Sequence, residues 1–204
     1  MQSNLSLTIS DLWIERGDRD LCKGFSLTAS SGDIIHIIGD NGAGKSSLFK
    51  TLFGLVSPVE GAVKLNGEDV LSYREPLLKQ SLYISHALGL KSVFTVLENI
   101  RWYFPNVSET DIARVLSLLK IEDYLDVPIK ALSAGQTRRV ALARLWLSDL
   151  SIWFLDEPFS ALDITSIQLL EGRIREHAEQ GGIVFFTSHQ PVTLLSPRRV
   201  ELTA

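Results

Sequence analysis

The run Gly39-Asp40-Asn41-Gly42-Ala43-Gly44-Lys45-Ser46 constrains this chain more than any other stretch. It fits G-x-x-x-x-G-K-[ST] and follows an isoleucine-rich apolar run, Asp33–Ile38. It precedes a helical pattern, Lys45–Leu55, in which Leu48/Leu52 and Phe49/Phe53 stand one turn apart and Gly54 provides the stop. A buried strand must therefore feed a glycine loop that opens directly into a helix. In such a loop the glycines let backbone N–H groups close around phosphates, and the helix N-terminus adds a favourable dipole. Lys45 is placed to reach the β- and γ-phosphates, and the Ser46 hydroxyl is suited to Mg²⁺.

Two more apolar runs, Ser151–Leu155 and Ile183–Thr187, read as strands buried on both faces of a parallel sheet. A helical pattern, Thr165–Glu179, lies between them and stops at Gly181-Gly182. Strand-loop-helix units in this order predict an α/β fold. Leu5–Thr28 and Gly61–Leu65, the latter before an Asn66-Gly67 turn, read as antiparallel strands. From Ala87 to Ala131 the pattern is helical, clearest over Val96–Tyr103 and Glu109–Leu119, so a helical insert interrupts the sheet. At 204 residues one domain is expected, with 1–86 and 132–204 as its catalytic core and 87–131 as a helical subdomain.

The strand that includes Ile152-Trp153-Phe154-Leu155 releases two adjacent carboxylates, Asp156 and Glu157, at the end where open α/β sheets place ligands. Beside a phosphate loop, Asp156 suits the Mg²⁺ shell. Glu157 suits polarisation of a water attacking the γ-phosphate. A third segment, Leu132-Ser133-Ala134-Gly135-Gln136, opens a helical run, Thr137–Leu147. Ser133 there reads either as a helix N-cap or as a group gripping a γ-phosphate, and the local residues do not decide between the two.

Composition removes other classes. The net charge of −4 withholds the attraction to phosphate backbone on which nucleic-acid binders rely, so no nucleic-acid partner is expected. No apolar run approaches the roughly 18 residues of a membrane span, because Arg144 and Asp149 interrupt Val140–Leu150. Met1–Ser10 lacks the pattern of a signal peptide, and the short segment after His189 leads us to expect no regulatory domain. Cys22, the single cysteine, reads as a small apolar filler.

In order, the phosphate loop, the Leu132–Gln136 segment, Asp156-Glu157, Ser160-Ala161-Leu162-Asp163 and Ser188-His189 resemble the nucleotide-binding domain of ABC transporters. The resemblance covers nearly the whole chain. It implies a phosphate-loop NTPase cassette with a parallel core sheet, N-terminal antiparallel strands and a helical insert. It implies ATP held by Gly39, Asp40, Asn41, Gly42, Ala43, Gly44, Lys45, Ser46 and Ser47, and Mg²⁺ held by Ser46 and Asp156. Glu157 and His189 would be catalytic, His189 as a switch histidine on the γ-phosphate and the water. Ser133, Ala134, Gly135 and Gln136 would close over the ATP of a second copy in a head-to-tail dimer, with Ser160 and Asp163 communicating across it.

A narrower resemblance lies in Leu132–Leu147, where Ala134 stands in place of the usual glycine, and in Leu97-Glu98-Asn99-Ile100, Gln180–Val184 and His189-Gln190-Pro191. These are similar to the ATPase subfamily of cytochrome c biogenesis, historically called the haem exporter, the alternative being the ATPase subunit of another small-molecule or lipid ABC exporter. That subfamily implies a separate membrane-spanning permease contacted by the insert, and cytochrome c maturation proteins as partners. It also implies a peripheral location on the cytoplasmic face of the bacterial inner membrane.

Some positions depart from the cassette pattern. Where most cassettes stack adenine on an aromatic ring, this chain has Arg16, either a planar guanidinium stacking on the base or an exposed loop charge beside Gly17. Where a Mg²⁺-contacting glutamine is expected after the strand Ser81–Ser85, it has His86, whose imidazole suits Mg²⁺ poorly. His36 reads as a hydrogen-bonded core residue, and His177 as a cation complementing a helix C-terminus.

Overall fold

The computed structural model describes residues 5–17, 19–40 and 42–202. Its elements run β1 (Ser6–Arg16), β2 (Arg19–Ser30), β3 (Ile34–Ile38), α1 (Lys45–Leu52), β4 (Glu60–Leu65), β5 (Glu68–Asp69), α2 (Glu75–Leu78) and β6 (Ser81–Ile84). They continue with α3 (Val96–Tyr103), α4 (Glu109–Leu118), α5 (Ala134–Leu142), α6 (Arg144–Leu147), β7 (Ile152–Asp156), α7 (Ile164–Glu179), β8 (Ile183–Thr187) and β9 (Arg198–Glu201).

Two sheets form. The first is antiparallel, ordered β2-β1-β4-β5, with Leu7 facing both Ala29 and Leu65 in register. The second is parallel, ordered β6-β7-β8-β3-β9. Every residue of β7 and β8 is buried, as continuous apolar runs in a sheet covered on both faces require. Because β8 lies between β7 and β3, the loops leaving all three strands emerge side by side at one sheet edge. That edge is where the phosphate loop, the two carboxylates and His189 converge.

Among the described residues three apolar clusters hold the layers. One fills the space between the antiparallel sheet, α1 and one face of the parallel sheet, with Phe49 edge-on to Phe154 at 5.5 Å between centroids. A second packs α7 through Leu170 and Ile174 onto the opposite face. The third belongs to the insert, where Ile100, Ile112 and Leu116 join Val140 and Ala143 from beyond residue 131. Cys22 is fully buried in the first cluster.

The helical run expected at Thr137 begins earlier, at Ala134, and is interrupted at Ala143. Ser133 caps it: its Oγ accepts from the Gln136 N–H at 3.3 Å, and the Gln136 side chain accepts from the Ser133 N–H at 2.8 Å. This reciprocal box fixes the helix start one turn ahead of the apolar pattern.

The reading of His177 as a helix-end cation is corrected. The ring is buried, stacked on Trp153 at 3.6 Å, and its Nε2 lies 3.1 Å from the Ser151 carbonyl. Burial pulls its pKa down to about 4, so at neutral pH it carries no charge to offer a helix dipole. His36 is the core histidine expected, stacked on Phe186 with Nε2 3.2 Å from the Ser188 carbonyl.

Candidate nucleotide site

At the sheet edge a cavity of about 280 Å³ opens between the loop after β3, the ends of β7 and β8, and the β1–β2 hairpin. Gly42, Gly44, Lys45, Ser46 and Ser47 form one wall, and Asp156, Glu157 and His189 face them. Arg16 and Leu21 close the hairpin side. A larger cavity, about 380 Å³, opens elsewhere, beside Ser151, His177 and Gly182 near the strands' starts. It contains neither a phosphate loop nor adjacent carboxylates, so the smaller one is the candidate site.

The loop is built by close approach. Gly44 has φ +95°, and a Cβ there would sit 2.8 Å from the Leu21 side chain, so only glycine lets the loop lie against the hairpin. Lys45 turns back across the loop, its Nζ donating to the carbonyls of Gly39 at 2.6 Å and Asp40 at 3.0 Å. The ammonium is thereby held over the space the loop encircles. Asn41 lies outside the described residues.

The two carboxylates differ in setting. Asp156 is buried, and its Oδ1 accepts from the Thr187 hydroxyl at 2.9 Å. The same hydroxyl accepts from the Glu157 N–H at 2.9 Å, so Thr187 bridges both. Glu157 adopts φ +53°, a costly conformation for a non-glycine residue, which aims its side chain into the cavity rather than along the strand. Its Oε2 accepts from the His189 N–H at 3.2 Å, and its Oε1 lies 3.6 Å from His189 Nε2. A carboxylate and an imidazole poised together can polarise a water and stabilise charge developing on a phosphoryl group.

Ser46 and Asp156 put a hydroxyl and a carboxylate on the same cavity, the hard oxygen donors that Mg²⁺ prefers. Such a set, completed by nucleotide oxygens, fits Mg²⁺ without a cage of protein ligands. Bound there, the ion would neutralise phosphate charge.

A match to the family model described as ABC transporter spans residues 22–160. The chain belongs to the ABC transporter family, among its CcmA-type ATP-binding subunits. It is 40% identical over 199 residues to the cytochrome c biogenesis ATP-binding export protein CcmA of Escherichia coli O157:H7, covering 97% of this chain and 96% of that one. Among solved structures, an ATP-binding subunit of an ABC transporter aligns with TM-score 0.78 at 27% identity, over 90% of this chain and 79% of that chain. A putative ABC transporter ATP-binding protein from Pyrococcus furiosus aligns with TM-score 0.82 at 24% identity over 97% of both, a likeness of fold. The chain is thus an ATP-hydrolysing cassette, and this cavity is its candidate nucleotide site.

Not every expected residue reaches the cavity. Ser133, Ala134, Gly135 and Gln136 do not line it; Ser133 and Ala134 are exposed. Ser160 and Asp163 are engaged within the chain: Ser160 binds the Glu157 carbonyl at 3.0 Å, and Asp163 caps α7 and pairs with Arg139 at 3.6 Å. Arg16 lines the cavity and is exposed. His86 is exposed in a turn and does not line the cavity. Sequence reasoning missed Thr187, an unremarkable strand-end threonine, and Leu21, whose role depends on the hairpin folding over the loop.

Proposed function

We propose that the chain powers an ABC complex of c-type cytochrome biogenesis, coupling ATP hydrolysis to haem export or to release of a haem-loaded chaperone. The 40% identity to CcmA across nearly the whole chain carries this reading. In it, residues 1–86 and 132–204 act as catalytic core and 87–131 as helical subdomain. Ser133, Ala134, Gly135 and Gln136 meet the ATP of a second copy in a head-to-tail dimer. The exposure of Ser133 and Ala134 away from their own chain's cavity supports that arrangement.

The phosphates rest on the Gly39–Ser47 loop, with Lys45 offsetting their charge. Ser46 and Asp156 hold Mg²⁺, Glu157 orients the attacking water, and His189 steadies both the water and the γ-phosphate. Arg16 lies against the base.

Among the described residues no helix is long and apolar enough to cross a membrane. A separate permease supplies the spans, and this subunit sits peripherally on the cytoplasmic face of the bacterial inner membrane. The insert carries exposed apolar side chains suited to that contact: Trp102 is 61% exposed and Val93 68%, with Lys91 over the Trp102 ring at 4.2 Å. Deleting the gene and assaying covalent haem attachment to c-type cytochromes tests the reading. Attachment should be lost, and normal attachment would refute it.

A further inference from the structure

Arg138 has an environment that its sequence position does not announce. It is buried, 6% exposed, on the face of α5 turned toward the end of β7. Among the described residues it makes no ion pair, whereas its neighbour Arg139 pairs with Asp163. Its Nη2 donates to the Ser160 hydroxyl, and its Nη1 is buried without a hydrogen-bond partner. Burial pulls the guanidinium pKa down, and the charges of Glu157 and Asp156 oppose that. A buried cation with an unmet donor is costly, and an apolar side chain would fill the position at less expense.

We propose that Arg138 is a positioning residue for hydrolysis, tying the start of α5 to the backbone of Glu157 through Ser160. The Ser160 hydroxyl receives a hydrogen bond from Arg138 and donates one to the Glu157 carbonyl at 3.0 Å, and its N–H reaches that carbonyl at 3.3 Å. A hydroxyl that accepts from a cation is a stronger donor in turn. Glu157 holds φ +53°, so its backbone depends on anchors at both ends: Thr187 takes the N–H and Ser160 the carbonyl. Gly135 reinforces the link, because a Cβ there would lie 2.9 Å from the Ala161 carbonyl; α5 and the Ser160–Asp163 loop touch at backbone distance. A small displacement of α5 is therefore passed to the carboxylate without slack.

The consequence rests on the dimer reading above. The first residues of α5 serve the partner's ATP while Glu157 serves the chain's own, so Arg138 joins the two nucleotide sites of one dimer inside a single chain.

The test uses the full chain in complex with its permease, measuring steady-state ATP hydrolysis and the binding of a fluorescent ATP analogue. Arg138→Gln should lower kcat about tenfold or more while analogue affinity changes less than about twofold, since a charge-assisted hydrogen bond is lost away from the nucleotide. Ser160→Ala, which removes the same link by a smaller change, should give a similar loss even if the glutamine variant folds poorly. The double variant should be no worse than either alone, the mark of a shared path. Arg138→Lys should recover part of kcat. Parental kcat in Arg138→Gln, or multiplying losses in the double variant, would overturn the proposal. Glu157→Gln run alongside separates the two readings: if it is inactive while Arg138→Gln is normal, only the positioning role fails. If Glu157→Gln is itself fully active, the assignment of the site fails.

Discussion

Replacing Thr187 by valine keeps the shape of a fully buried side chain and removes its hydroxyl. Two hydrogen bonds go with it. The bond to the Asp156 carboxylate at 2.9 Å is charge-assisted and contributes about 1.5–3 kcal/mol, and the one from the Glu157 N–H at 2.9 Å about 0.5–1.5 kcal/mol. The added methyl returns at most about 0.8 kcal/mol. A net loss of about 1–4 kcal/mol follows, which for a chain of this size lowers Tm by roughly 2–15 °C. Urea unfolding should show an earlier midpoint with an unchanged slope, since the surface exposed on unfolding is the same. Thr187→Ser keeps both bonds and should lose only about 1 kcal/mol, from the missing methyl. Folded Thr187→Val should also hydrolyse ATP more slowly, because Glu157 relaxes from its left-handed backbone conformation. A stability change under about 0.5 kcal/mol, well below the range the two bonds predict, would refute the bridging role of Thr187, as would parental hydrolysis by the folded variant.

Lys45→Ala should weaken binding of a fluorescent ATP analogue by at least about tenfold, and unchanged affinity would contradict the phosphate loop. Glu157→Gln should retain ATP, hydrolyse it about 10² to 10⁴ times more slowly and accumulate dimers in size-exclusion chromatography; hydrolysis at the normal rate would show that another group orients the water. Ala134→Gly should be nearly neutral for folding, whereas Gly135→Ala should destabilise by about 1–3 kcal/mol, measured by urea unfolding, because its methyl meets the Ala161 carbonyl. His177 titrates at about 4 when folded and at 6.5 ordinarily, so the unfolded chain binds the extra proton between these values. Stability should accordingly fall as pH drops from 6.5 to 4, and His177→Phe should flatten that slope in pH-dependent urea unfolding; an unaltered slope would mean the ring is already charged in the native state.

Much of the site was legible because its chemistry is local. The loop from Gly39 to Ser46, the helix behind it and the strand that ends in Asp156-Glu157 each announce themselves through spacing within one segment. The contacts that hold Glu157 in place are not local. Thr187 reaches Asp156 only because β8 pairs beside β7, and Arg138 reaches Ser160 across 22 positions. Adjacent arginines also look alike in a row of letters, yet Arg138 turns inward to a hydroxyl and Arg139 outward to Asp163. His177 misled for the same reason, since its place near a helix end is visible in sequence and the Trp153 ring stacked on it is not.

The cap at the start of α5 has a consequence of its own. Ser133 Oγ binds Gln136 N–H through a lone pair, and Ser133's own N–H is taken by the Gln136 side chain. The hydroxyl proton is committed to neither bond and can rotate outward. An arriving phosphate oxygen would find a donor whose carrier is already immobilised, and would not have to break the cap to use it. The entropy of ordering that residue is spent when the chain folds, so in the proposed head-to-tail dimer the docking of two subunits over a nucleotide would begin from a rigid half-socket.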